Sequence, residues 1–140
     1  MNRDLRLAVV FAAVTLLWNL YGFAGNFFEY YWGGYSTLPV TFISYLANAL
    51  LLVGLALVAV KQLSAARALA FAGLVMAVWS LGGVALEVGF LSGTFARVAE
   101  PPPINLPELV PLLGPLLPMI TGGLTAVFAW RAGLRDERAT

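Results

Sequence analysis

Residues 68–91 read ALAFAGLVMAVWSLGGVALEVGFL, with one ionisable side chain, Glu87, and no proline. A helix needs about 20 apolar residues to cross a bilayer, and this run exceeds that. In lipid a lone segment must satisfy its backbone hydrogen bonds internally, so the stretch reads as a transmembrane helix. Working outward, three more runs of the same character appear: about Leu5 to Phe28, about Val40 to Val60 and about Leu109 to Trp130. The first is too long for the apolar core of a signal peptide, and Asn26-Phe27-Phe28-Glu29 has no small-residue cleavage pattern, so it reads as a retained helix.

Composition agrees. Of 140 residues, 61% are hydrophobic and 11% charged, with a mean hydropathy of +0.87. An ordinary soluble protein has roughly 45–50% apolar and 25% charged residues. So few charges cannot cover a globule of this size, and lipid must solvate most of the surface. The expected fold is an all-α integral membrane protein, a four-transmembrane-helix antiparallel bundle forming one membrane domain over residues 1–140. Eight Lys and Arg against seven Asp and Glu give a net charge of +1, too balanced for a nucleic-acid partner. The absence of Cys and His excludes disulfides, thiol chemistry, His-ligated haem and the usual zinc sites, so neither cofactor nor metal is expected. P-loop, Rossmann and GxSxG patterns are also missing.

Orientation follows from the basic residues. Arg3, Arg6, Lys61, Arg67, Arg131, Arg135 and Arg138 fall on one side, whereas Arg97 shares the other with Glu29, Glu100 and Glu108. The positive-inside rule places both termini and the short middle loop in the cytoplasm, in a prokaryotic inner membrane. Phe27, Phe28, Tyr30, Tyr31, Trp32 and Tyr35 then form an outer aromatic belt, and Trp130 marks the inner interface. The outer loop 92–107, with Pro101-Pro102-Pro103, is expected to be extended and to lie across the outer mouth of the bundle. The tail Arg135-Asp136-Glu137-Arg138 reads as a solvated inner cap.

Sliding the chain by 61 positions lays Trp18-Asn19-Leu20-Tyr21-Gly22 over Trp79-Ser80-Leu81-Gly82-Gly83, and Arg6 over Arg67. Coincidence in so apolar an alphabet and duplication both account for this. Duplication would give two tandem helical hairpins with the Trp-Asn and Trp-Ser faces opposed.

Polar residues inside such helices are costly, so their placement carries the functional signal. Thr15, Asn19, Gly22, Asn26 and Glu29 share one face of the first span. Thr41, Ser44 and Asn48 share one in the second, Gly73, Ser80, Gly83 and Glu87 one in the third, and Thr121, Gly122 and Thr125 hold the middle of the fourth. These stripes meet if they line the interior. Helix packing explains them, since small residues permit close approach and an interhelical hydrogen bond contributes about 0.6 kcal/mol. Glu87 lies about 28 Å along its helix, near the outer boundary, where it either snorkels to water or serves a site. The bias of polar groups toward the outer half predicts a vestibule open to the outside. Pro115 and Pro118 are expected to kink the fourth span and free the carbonyls of Pro111 and Gly114, as a bend or as a carbonyl-lined wall facing Glu87 and Asn48.

The sequence thus predicts a non-enzymatic membrane protein with an outward-facing polar pocket for a small solute or cation. The expected lining is Glu87, Asn19, Asn26, Asn48, Glu29, Ser80, Trp18 and Trp79, in a homo-oligomer embedded in the lipid bilayer. Two other readings compete: an accessory subunit docked on other membrane subunits, and a membrane enzyme acting on a lipid or isoprenoid through Glu29 and Glu87.

Overall fold

The structure, a computed structural model, describes residues 2–32, 38–62, 64–91 and 106–139, with the side chains of 22–32, 38–42, 86, 87, 90, 91, 106–112 and 136–139 outside that description. The described residues form four helices: α1 (Arg3–Trp32), α2 (Leu38–Ala59), α3 (Ala65–Leu91) and α4 (Leu106–Ala139). Three contain stretches long and apolar enough to cross a membrane, and α2 contributes a shorter apolar one, Ile43–Ala59. The helices overrun the expected spans. Helix α1 has 30 residues, about 45 Å, and α4 has 34, because polar turns extend the helices beyond their apolar cores.

Local chemistry sets the ends. Asn2 caps α1, its Oδ1 accepting the Leu5 N–H at 2.8 Å. Leu-Pro pairs open both α2 and α4, where the missing proline N–H is harmless. Helix α2 stops in a Schellman motif: Gln62 N–H donates to Leu57 O and Lys61 N–H to Val58 O. Lys61 takes the left-handed conformation this requires, at φ 55°, and α3 begins four residues later.

Around the bundle, α4 packs on α3 and on α1, and α2 packs on α3. The α1–α2 seam is thin, and α1 and α3 stand on the diagonal. Followed from Asp4 to Trp18, α1 meets α4 in reverse, from Arg135 to Gly114, so the two are antiparallel. The tightest crossing is α3 on α4. A Cβ built on Gly73 would stand 2.7 Å from both Ala126 N and Gly122 O. One on Gly122 would stand 3.1 Å from Ala77 N and Gly73 O. Two small-xxx-small pairs, Gly73 with Ala77 and Gly122 with Ala126, thus bring the backbones together. Ala8, Ala12, Ala47, Leu51, Leu69, Ala72, Met76 and Ala129 fill the core, and Phe11 stacks on Phe128 with ring centroids 5.8 Å apart. Large apolar side chains such as Leu17, Leu20, Leu52, Phe71 and Val78 face outward.

At the offset of 61, the buried residues Asp4, Ala8, Ala12 and Thr15 of α1 fall on Ala65, Leu69, Gly73 and Met76 of α3, all buried. The two helices therefore turn equivalent faces to the bundle axis.

Candidate functional site

The interior polar groups gather in a belt about 18–24 Å from the first residue of α1. At its lower edge the Thr15 and Thr121 hydroxyls lie 2.6 Å apart, with Phe11 O 2.8 Å from the first and Leu117 O 2.9 Å from the second. Two hydroxyl protons serve these three contacts, so one threonine bonds its own helix and the other bonds across. Thr125 Oγ1 closes the series by donating to Thr121 O at 2.8 Å.

One step along α1, Trp18 Nε1 donates to Gly114 O of α4 at 3.0 Å. Pro118 cannot donate to that carbonyl, and the indole takes the place of the missing N–H. Helix α4 is continuous through Pro111, Pro115 and Pro118. Gly83 makes room for the proline ring, since a Cβ there would stand 2.9 Å from Pro115 Cβ. The freed Gly114 carbonyl is thus held by α1, and the expected carbonyl wall facing Asn48 is not the arrangement at this residue.

The centre of the belt lies at the thin seam. Asn19 Nδ2 donates to Asn48 Oδ1 of α2 at 2.9 Å and contacts Met76 Sδ of α3 at 3.5 Å. Asn48 Nδ2 donates to Ser44 O at 2.8 Å, and Trp79 Nε1 donates to Ser44 Oγ at 2.9 Å. Three helices therefore converge on the two carboxamides, both half-buried. After these bonds, Asn19 Oδ1 has no donor and the second Asn48 amide proton no acceptor among the described residues.

Of the residues picked out in the sequence, the structure brings Trp18, Asn19, Asn48 and Trp79 into this belt, and buries Ser80 on the neighbouring turn of α3. The two tryptophans do not oppose one another: Trp18 reaches α4 and Trp79 reaches α2. The side chains of Asn26, Glu29 and Glu87 lie outside the described residues, as does the loop 92–105. No cluster of metal-ligating side chains occurs among the described residues.

Sequence reading missed the contact that ties the two chain ends together. Arg135 Nη1 lies 2.9 Å from Asp4 Oδ2, with Asp4 almost fully buried and Arg135 more than half exposed. That oxygen has no aligned hydrogen bond, so the contact is an ion pair by distance alone. A single acid in the first turn of an apolar helix was the available signal, since an N-terminal carboxylate also suits the helix dipole.

The fold and the belt together define a class, a helical bundle whose helices suit a membrane and whose polar groups meet inside. No protein family, curated protein or solved structure matches the chain.

Proposed function

We propose that the chain is a small, non-enzymatic membrane protein that binds or passes a small polar solute or cation between its helices, with both termini cytoplasmic, as a homo-oligomer. The site is the carboxamide belt of Asn19 and Asn48, flanked by Ser44 and Trp79. One observation carries the reading: after bonding each other, the two carboxamides still offer an oxygen and an N–H at the loosest seam of the bundle. As packing devices they are a poor choice. An interhelical hydrogen bond contributes about 0.6 kcal/mol, while a polar group left unpaired against lipid costs about 1–3 kcal/mol. A bound solute that accepts from Asn48 and donates to Asn19, or a cation on the Asn19 oxygen, removes that cost.

A second reading draws on α2. Its outward side chains Ile43, Leu46, Leu52 and Val53 are exposed and it has the fewest neighbours within the bundle, which suits an accessory subunit whose α2 docks on partner helices.

Native mass spectrometry of the chain, extracted from its own membrane in mild detergent, separates the two. The solute reading expects a homo-oligomer with a small non-lipid mass that disappears in the Asn19→Leu/Asn48→Leu variant while the oligomer persists. Co-extracted polypeptides favour the subunit reading. A protein with no bound mass, or a mass indifferent to the double substitution, refutes the carboxamide site.

A further inference from the structure

A second feature lies on the outer surface of α3 and α4, independent of the carboxamide belt. A groove of about 400 Å³ runs between the arginine-bearing ends of these helices. Arg67 and Arg131 stand at its mouth, Trp130 beside them, and Phe71, Leu74 and Val127 line its body. Arg67, Phe71 and Leu74 are spaced i, i+4 and i+7 on α3, and Val127 and Arg131 are i and i+4 on α4, so each helix presents one stripe. Because the helices are antiparallel, both arginines sit at one level and the apolar side chains extend one to two turns deeper. Those apolar side chains and Trp130 are each more than half exposed.

We infer that this groove holds an acidic phospholipid of the surrounding leaflet, its phosphodiester on Arg67 and Arg131 and its upper acyl chain along Phe71, Leu74 and Val127. Charge complementarity selects the occupant. Among the described residues, two guanidinium groups line the groove and no carboxylate does. The neighbouring cleft, of about 310 Å³, also has arginines, Arg3, Arg131 and Arg135, but carries Asp4 among them. Guanidinium forks match phosphate oxygens in pairs. Arg67 has another contact in the bundle, and five N–H donors let it serve a phosphate as well. A free anion would use only the mouth, whereas a lipid also covers the apolar body. Basic clefts between membrane helices at the cytoplasmic side suit such headgroups, and an interfacial tryptophan suits the same depth.

The test is native mass spectrometry of the full chain in detergent, titrated with phosphatidylglycerol or phosphatidylcholine of identical acyl chains. The wild type should retain the acidic lipid with a preference of about tenfold. Arg67→Gln/Arg131→Gln should abolish the preference, and each single Arg→Gln substitution should reduce it about threefold. Arg6→Gln, at the same end but lining neither cavity, should preserve it. Glycerol 3-phosphate, which has no acyl chains, should not displace the lipid. An absent preference, a preference surviving both arginine substitutions, or equal loss in Arg6→Gln overturns the site. Displacement by glycerol 3-phosphate reassigns it to soluble anions and overturns the lipid.

Discussion

At Trp18 one indole proton decides whether a carbonyl is stranded. Proline at position 118 deprives Gly114 O of its helical donor, and in an apolar setting no water replaces it. The bond from Trp18 therefore removes a penalty as well as adding an attraction. Trp79 occupies the corresponding place on α3, but its acceptor is the Ser44 hydroxyl, which can rotate to another partner. The two substitutions should differ accordingly. Trp18→Phe is expected to cost about 1–3 kcal/mol in a bilayer, the penalty of leaving the outward-facing Gly114 carbonyl without a donor against lipid. Trp79→Phe should cost about 0.6 kcal/mol, the usual worth of an interhelical bond. Reversible unfolding in mixed micelles measures both, and equal losses would mean that Gly114 O does not depend on the indole. The Asp4–Arg135 pair is a lesser contributor, since its arginine is largely solvated.

Among the helices, the crossing of α3 on α4 ranks the glycines. Alanine at Gly73 drives its Cβ to 2.7 Å from the backbone of α4, and backbone has little room to yield. Alanine at Gly122 meets backbone at 3.1 Å, a misfit of a few tenths of an ångström. Gly82 and Gly123 have nothing within 4 Å. The expected order of destabilisation is Gly73→Ala, at about 1–3 kcal/mol of overpacking, then Gly122→Ala. Gly82→Ala and Gly123→Ala should be neutral or stabilising by up to about 1 kcal/mol through helix propensity. Thermal unfolding of the four variants in one detergent checks that order. Helix positions were legible in the sequence because length and hydropathy alone determine them, and the inward faces were legible from spacing. Depth of contact was not. Gly82 and Gly83 look alike as letters, yet only Gly83 lies against a proline ring, because periodicity gives a residue's direction and says nothing of how near the next backbone comes. Partnership was hidden for the same reason: the stripes containing Thr15 and Thr121 could be read, but which helices sit side by side depends on the order around the bundle. Asp4 escaped attention because its partner lies at the far end of the chain.

For the molecule as a whole, that order can be tested directly, since the chain has no cysteine of its own. With their hydroxyls 2.6 Å apart, Thr15 and Thr121 bring their β-carbons within reach of a disulfide. Oxidised Thr15→Cys/Thr121→Cys should link α1 to α4, detected as a reducible crosslink between fragments after cleavage in the middle loop. Thr15→Cys/Leu52→Cys should not link, because Leu52 faces outward from α2. A crosslink in the second pair alone would require a different arrangement of helices. The closure of α1 on α4 has a further consequence, for biogenesis. Helix α1 is made before α4 and holds it through Asp4, Phe11, Thr15 and Trp18. During synthesis these side chains have no mates until α4 arrives, so a chain that stops short of α4 leaves an acid, a phenyl ring and an indole donor without partners together. The ring of helices is closed only when α4 docks on α1, so the earlier helices wait with one face open until it does.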